Sequence, residues 1–171
     1  MADRTLDLRK VFGMVVSFDQ EQPLVLPDKP FAVLTELYPG GESAVHIHPH
    51  QEETYAVREG EMQVLLSGKW QTVGAGETVI IPKGAVHAFR NASGQKVVAL
   101  NTHNPGLRFG EMLQTIEQHL VAGKITSTKG PKNLFYMAGI MVKYPDVMVT
   151  VKPPHTLIKF MARLGKLLGY R

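Results

Sequence analysis

The densest group of metal-binding side chains in this sequence lies in the stretch HIHPHQEETYAVREG, residues 46–60. Side chains of an extended strand alternate in direction, so His46 and His48 point to the same face. The proline that follows them cannot donate to a strand ladder, so we expect the strand to bend or end there. Beyond that bend, a carboxylate from Glu52 or Glu53 can turn back toward both imidazoles. Two imidazoles and one carboxylate are a common ligand set for a first-row divalent metal, so this stretch predicts a metal site.

A fourth ligand has to come from another part of the chain. The segment PKGAVHAFRN, residues 82–91, offers His87 directly after a Pro-Gly turn that ends an apolar strand. The chain contains no cysteine, which excludes disulfides and thiolate metal sites. Any metal is therefore held by nitrogen and oxygen ligands.

Around these segments, the first part of the chain consists of short apolar and β-branched runs separated by turns. The predicted strands are KVFGMVVSF (10–18), FAVLTEL (31–37), three strands within EMQVLLSGKWQTVGAGETVIIP (61–82), and KVVALNTH (96–103). Short strands at close spacing, without helices between them, indicate an antiparallel sandwich or barrel.

The second part of the chain has a different composition, and we place a domain boundary near residue 104. Residues 1–104 contain nine Lys and Arg against twelve Asp and Glu, whereas residues 105–171 contain ten against three. Apolar residues in the second part recur at helical spacing. The predicted helices are FGEMLQTIEQHLVAG (109–123), PKNLFYMAGIMVKY (131–144) and HTLIKFMARLGKLLGYR (155–171). We therefore predict an all-β core followed by a helical C-terminal extension.

With these segments in place, the chain resembles the cupins, and in particular their single-barrel bacterial members. The first cupin motif is a glycine, five residues, His-x-His, three or four residues, a glutamate, six residues and a glycine. This sequence has those residues at those intervals as Gly40, His46, His48, Glu53 and Gly60. The second motif is a glycine, five residues, Pro-x-Gly, two residues, a histidine, three residues and an asparagine. It is matched by Gly76, Pro82, Gly84, His87 and Asn91.

The resemblance implies an antiparallel jelly-roll (cupin) β-barrel with a metal ion in its mouth. It also implies the ligand set, and its spacing selects Glu53 over Glu52. The implied ligands are His46, His48, Glu53 and His87. Three imidazoles and one carboxylate suit one divalent transition metal ion, which can be Fe, Mn, Ni, Co, Cu or Zn.

Four protein ligands on an octahedral ion leave two positions open for water, dioxygen or a bidentate substrate. We expect a metal-dependent enzyme of the dioxygenase, isomerase or decarboxylase type that acts on a small, oxygen-rich molecule. The alternative is a metal-dependent small-molecule binding or sensing protein without turnover. A storage-like structural role fits a small single barrel poorly. Fold-level resemblance does not choose among reactions, because this family hosts very many.

An enzyme needs a proton-handling group beside the metal that is not itself a ligand. Tyr55 is our catalytic candidate, because a position two residues along a strand from Glu53 lies on the same face. Glu52, His50 and His103 are weaker candidates. We expect His50 in a solvent-facing loop, Glu52 at the rim of the barrel, and His103 as an ordinary surface histidine.

Further expectations concern location and partners. The N-terminus is charged with no apolar stretch behind it, and no apolar run approaches the ~18 residues of a membrane span, so we expect a cytoplasmic protein. The acidic first part and the lack of a helix-turn-helix ahead of the barrel argue against nucleic-acid binding. We expect a small-molecule ligand. We also expect a homodimer, because small barrels pair through sheet faces and exposed edges.

Residues 155–171 combine a wide apolar stripe with a basic opposite side and contain no acidic residue. This pattern is typical of a helix that lies on an anionic lipid surface, and equally of a helix whose stripe closes a core. Gly165 and Gly169 each weaken an isolated helix by ~1 kcal/mol. We therefore favour packing against the other helices or a partner subunit over membrane-surface contact.

Overall fold

The computed structural model describes residues 3–127 and 129–170. Its elements in chain order are β1 (Asp3–Asp7), α1 (Arg9–Phe12), β2 (Met14–Asp19), β3 (Phe31–Leu37), β4 (Val45–Ile47), β5 (Glu52–Glu59), β6 (Glu61–Leu66), β7 (Lys69–Gly74), β8 (Thr78–Ile81), β9 (His87–Arg90), β10 (Val97–Asn104), α2 (Phe109–Val121), α3 (Pro131–Lys143), β11 (Val149–Lys152) and α4 (His155–Leu167).

The described strands form two sheets whose strand pairs are antiparallel. One sheet has the order β1-β2-β3-β10-β5-β8, and the other has the order β11-β4-β9-β6-β7. Together they make a jelly-roll β-barrel core, and three longer helices follow in the C-terminal part of the chain. The predicted fold class, an all-β jelly-roll core with a C-terminal helical extension, is confirmed.

The first predicted strand, residues 10–18, is wrong at its beginning. Lys10 and Val11 lie in the short helix α1, and the strand starts at Met14. Gly13 joins the two with a left-handed φ of 64°. A Cβ at this position would lie 2.5 Å from the Cα of Gly41, so only glycine fits. The first apolar residue of the run, Val11, is therefore buried in the core from a helical turn and not from an extended strand.

The helices agree closely with the helical spacing of the sequence. Helix α2 begins at Phe109 as predicted and ends at Val121, just before the predicted cap Gly123, which adopts a left-handed φ of 65°. Pro131 occupies the first turn of α3, where its missing N–H leaves no helical bond unmade. Helix α4 covers most of the predicted third helix, while Arg171 lies outside the described residues.

The periodicity of the sequence did not indicate strand β11. It pairs with β4, with Val149 opposite Ile47 and Thr150 opposite His46. The region after residue 104 is thus not entirely helical, because β11 adds a strand to the barrel sheet next to His46. The division at residue 104 stays a prediction.

The two largest apolar clusters of the described residues lie in the barrel and between the barrel and the helices. One fills the barrel interior and includes Tyr55 and Phe89. The other lies between the sheet that contains β1–β3 and the helices, and it includes Phe31, Phe109 and Tyr144. Because this second cluster combines barrel and helical residues, it fixes α2 across one end of the barrel.

Candidate metal centre

The four residues selected by the two motifs come together from neighbouring strands. His46 in β4 is paired in register with His87 at the start of β9. His48 follows the end of β4, the chain bends at residues 49–50, and Glu53 then lies in β5 of the other sheet. All four side chains are buried, and one ligand atom of each lies within 4.8 Å of the others.

Backbone carbonyls orient all three imidazoles. Nδ1 of His46 and Nδ1 of His87 lie 2.8 and 2.9 Å from the carbonyl oxygens two residues before them. Nδ1 of His48 lies 2.6 Å from the carbonyl oxygen of Val147, 99 residues away in sequence. A carbonyl only accepts hydrogen bonds, so Nδ1 carries the proton when each ring is neutral. Each Nε2 therefore directs a lone pair into the cluster, as in metal-binding histidines whose second nitrogen is held by a carbonyl.

These lone pairs converge on one another. The Nε2 atoms of His46 and His48 are 3.2 Å apart, and Nε2 of His87 is 2.9 Å from Oε2 of Glu53. In the described chain, neither of the last two atoms has a hydrogen-bond partner. Buried acceptors that face one another are unfavourable unless a cation or a proton lies between them. The cluster is therefore compatible with a bound metal ion, and its nitrogen and oxygen donors suit a transition metal.

Burial and mutual contact set the charges of the cluster. Burial lowers the pKa of His46 well below its ordinary value, and it also lowers the pKa of His48. Burial acts to raise the pKa of Glu53, but the neighbouring histidines, His103 first, outweigh it and hold this pKa well below its usual range. Burial acts to lower the pKa of His87, and its contact with Glu53 reverses this and raises it. Neutral imidazoles and an ionised carboxylate are the forms that bind metals, so His87 is where a metal competes with a proton.

The expectation that His103 is a surface histidine is wrong. Its side chain is only 1% exposed, because β10 places it directly opposite Glu53 on β5. Its Nε2 lies 3.0 Å from Oδ1 of Asn101 and 3.3 Å from Oε1 of Glu53, and its ring stacks on Phe109 at 3.6 Å. Burial lowers the pKa of His103 to about 3, so the ring is neutral.

Asn101 is a residue of the site that sequence reasoning missed. Its Nδ2 donates to Oε1 of Glu53 at 2.9 Å, while its Oδ1 faces His103. Asn101 therefore holds one carboxylate oxygen of Glu53, His103 holds the amide of Asn101, and Oε2 stays directed toward the imidazoles. The alternation of β10, in which positions 97, 99, 101 and 103 are buried, is the signal that could have found them.

The other proton-handling candidates differ in burial, because Tyr55 is buried whereas His50 and Glu52 are exposed. Tyr55 is buried on the same face of β5 as Glu53 and lines the same cavity, as the spacing predicted. Burial first, and then the charge of Glu53, raise the pKa of Tyr55 well above 10, so its phenol stays protonated. His50 and Glu52 are exposed and lie outside the cluster, in line with the loop and rim positions expected for them.

A cavity of about 70 Å³ adjoins the cluster. Beyond the motif residues, its polar wall is limited to a few side chains, and its residues include no Lys or Arg. The rest of the lining is apolar and comes from both parts of the chain. From the barrel it includes Val16, Val33 and Phe89, and from α2 it includes Met112, Leu113 and Ile116. Helix α2 therefore closes the mouth of the barrel over the cluster.

The family model for the cupin domain matches residues 33–103, which contain all four motif ligands. Residues 33–103 of the chain therefore form a cupin domain. The resemblance inferred from the two motifs is thus confirmed, and the cupin domain covers the strands from β3 to β10. Among the residues that the structure describes, none of the helices has the length and hydropathy of a membrane-spanning segment.

Curated relatives of this cupin match the same region. Germin-like protein 3-5 of Oryza sativa subsp. japonica and Oxalate oxidase 1 of Hordeum vulgare are each 37% identical over 82 residues, which is 42% of this chain. The match covers 36% and 41% of their own lengths, so the chain spans about two fifths of these relatives or less. Among solved structures, the cupin domain of Schizosaccharomyces pombe Cnp3 aligns with a TM-score of 0.48 at 19% identity, over 58% of this chain and 67% of that one.

Proposed function

We propose that this cupin is a metal-dependent enzyme that acts on a small molecule, with one divalent transition metal ion held by His46, His48, Glu53 and His87. The observation that carries the proposal is the convergence of three imidazole lone pairs and one carboxylate oxygen in a buried site. A backbone carbonyl accepts a hydrogen bond from each Nδ1–H, so the lone pair of each Nε2 is directed into the cluster and is available to a metal ion. When bound, the ion supplies Lewis-acid or redox chemistry to an oxygen atom of the substrate.

The lining of the cavity supports a proposal for the kind of substrate. Its residues include no Lys or Arg to pair with a second anionic group, and α2 adds Met112, Leu113 and Ile116 to the wall. We infer a small molecule that presents one or two oxygen atoms to the metal and an apolar remainder to α2. The name oxalate oxidase, carried by relatives of this chain, supports oxygen donors and oxidation at the metal. The apolar wall favours a hydroxy acid or diketone with a hydrocarbon substituent over a dicarboxylate.

The residues around the ion have distinct roles in this proposal. Tyr55 is the proton-handling candidate, because its buried phenol lies on the same face of β5 as Glu53, lines the same cavity and stays protonated, so that it can donate a hydrogen bond to an oxygen atom of the substrate. Asn101 and His103 act as positioning residues, because Asn101 donates to Oε1 of Glu53 and His103 holds the Oδ1 of Asn101. Small cupin barrels commonly pair, and we propose a homodimer as the working assembly.

The alternative function is metal-dependent binding of a small molecule without turnover. The small size of the cavity, about 70 Å³, favours this alternative, because little room is left for two substrates at once. The two functions differ in a single measurement. An enzyme consumes its ligand over repeated cycles, whereas a binding protein takes up one equivalent and stops.

The test begins with elemental analysis of the protein purified without a histidine tag, followed by oxygen-uptake and substrate-consumption screens with alkyl hydroxy acids and diketones. We expect about one transition metal ion per chain and multiple turnovers. His87→Ala should lose the metal and the activity while the barrel stays folded by circular dichroism. His50→Ala is the matched control, because it removes an exposed histidine from the same motif region. Full metal content in His87→Ala would refute the ligand assignment.

A further inference from the structure

The rotational setting of α4 is fixed by its contact with α3. Ile158 is buried in a small cluster with Ala138 and Met141. Two turns further along the same face of α4, a Cβ on Gly165 would lie 2.8 Å from the Cβ of Phe135. The two helices therefore approach too closely there for any larger residue. The side of α4 that carries Ile158 and Gly165 therefore faces the molecule.

This setting turns a second apolar stripe away from the molecule. Side chains at spacings of three and four residues share one side of a helix. Four of them on α4 and its end are exposed: Leu157 by 46%, Phe160 by 63%, Leu167 by 84% and Leu168 by 58%. We call these four residues the outer stripe. Isolated exposed apolar residues are ordinary, but four large ones along one side of a helix indicate a surface that meets something apolar.

A row of cations runs beside the outer stripe. Lys159, Arg163 and Lys166 are exposed, and none has a carboxylate partner within the described chain. All three line a cleft of about 690 Å³ between α3 and α4, together with Lys143 and aromatic rings that include Tyr136. In addition, no acidic residue follows Asp146 in the sequence.

We propose that α4 docks on an anionic lipid surface, with the outer stripe in the boundary of the acyl chains and the row of cations on the headgroups. Apolar and basic sectors side by side, without acidic residues, complement a negatively charged bilayer interface. A second copy of the chain fits this surface less well, because its own α4 would add three more cations and no anion. The cleft beside the cations gives room for an anionic headgroup near Lys159 and Lys166.

The test is co-sedimentation of the full-length protein with vesicles of equal parts phosphatidylglycerol and phosphatidylcholine, compared with pure phosphatidylcholine. We expect binding to the anionic vesicles alone, and the bound fraction should fall as salt rises. The triple variant Lys159→Gln, Arg163→Gln, Lys166→Gln should bind about a hundredfold more weakly, at roughly fivefold per charge. Phe160→Ser with Leu167→Ser should weaken binding by about tenfold or more.

Matched controls keep this test specific. Lys29→Gln, Lys69→Gln and Lys83→Gln remove three exposed lysines from the barrel and should leave vesicle binding unchanged. Val121→Ser removes a residue of α2 that is 83% exposed and should also have no effect. Unchanged circular dichroism shows that each variant is folded.

Three outcomes would overturn the proposal. These are no binding to anionic vesicles, equal binding to both vesicle types, and complete displacement from vesicles by inorganic phosphate at matched ionic strength, which would indicate a site for a free anion. Sedimentation velocity tests whether a second copy of the chain, rather than a membrane, occupies the outer stripe. A dimer that Phe160→Ser with Leu167→Ser dissociates, together with no vesicle binding, would assign the outer stripe to a second copy instead.

Discussion

The barrel and the C-terminal helices contribute different things to the candidate metal centre. All four donor side chains lie between residues 46 and 87, within the barrel. The later part of the chain supplies the carbonyl oxygen that holds His48, the ring that stacks on His103, and the helix that closes the mouth. The donor atoms are thus a property of the barrel, whereas their orientation and their access to solvent depend on the helical part. Separate substitutions can test each half of this comparison.

The largest effect should come from the barrel half. Glu53→Gln removes the one negative charge of the cluster while it keeps the shape of the side chain. We expect metal affinity to fall by more than about 100-fold, because even loss of an outer hydrogen-bond partner costs 10–100-fold. Metal content after dialysis, measured by inductively coupled plasma mass spectrometry, checks this. Glu52→Gln is the matched control one residue earlier, and an equal loss in both variants would contradict the assignment.

A smaller effect should follow from the outer partners of the ligands. Asn101→Ala removes the donor to Oε1 of Glu53 and the acceptor that faces His103. We expect metal affinity to fall by roughly 10–100-fold, with the metal still bound at high concentration. Titration of the metal followed by calorimetry measures the change. Thr102→Ala, whose side chain points to the opposite face of β10, should bind metal normally, and a comparable loss there would point to damage of the strand instead.

The pH dependence of metal affinity should depend on barrel residues alone. A bound metal displaces the proton of His87, and the pKa of His87 is raised by Glu53. Affinity should therefore begin to fall as pH drops through a value above the ordinary histidine pKa of ~6.5, by up to about tenfold per pH unit. Equilibrium dialysis between about pH 5 and 8 measures the onset. His50→Ala should show the same profile, and affinity that is independent of pH in this range would exclude a neutral His87 ligand.

The smallest effect should come from the helical half. Phe109→Leu keeps the core filled but removes the ring that stacks on His103. We expect a loss of about 1 kcal/mol in the free energy of unfolding, which is typical of a swap between large apolar residues. Urea unfolding followed by circular dichroism measures it, and metal affinity should change by only a few-fold. Val121→Ala in the same helix should be neutral. Complete loss of metal in Phe109→Leu would show that the donor atoms are not a property of the barrel alone.

The sequence predicted the parts of the site that depend on local spacing. The alternation of an extended strand placed His46 with His48 and Glu53 with Tyr55, and the structure has both pairs on shared faces. The cupin intervals selected Glu53 over its neighbour. In the same way, the helical period of the apolar residues anticipated α2, α3 and α4 to within a few residues.

What the sequence did not predict depends on contacts between distant segments. His103 meets Glu53 because of the register between β10 and β5, which no short window of sequence contains. Strand β11 is only four residues long, too short for a periodic signal, and it is defined by its pairing with β4. The split of the apolar residues of α4 into a buried side and the outer stripe depends on where Gly165 meets Phe135, which a helical wheel does not show.

The hydrogen bond from His48 to the carbonyl of Val147 has a consequence for how the protein is made. All four donor side chains leave the ribosome early, before residue 88, but the acceptor that fixes His48 is synthesised only 99 residues after it. A nascent chain that has reached β10 but not Val147 therefore has all four donors without the hydrogen bond that fixes His48. We therefore expect tight binding of an ion only after Val147 has reached His48, so that tight binding would require a segment far beyond the four donor residues.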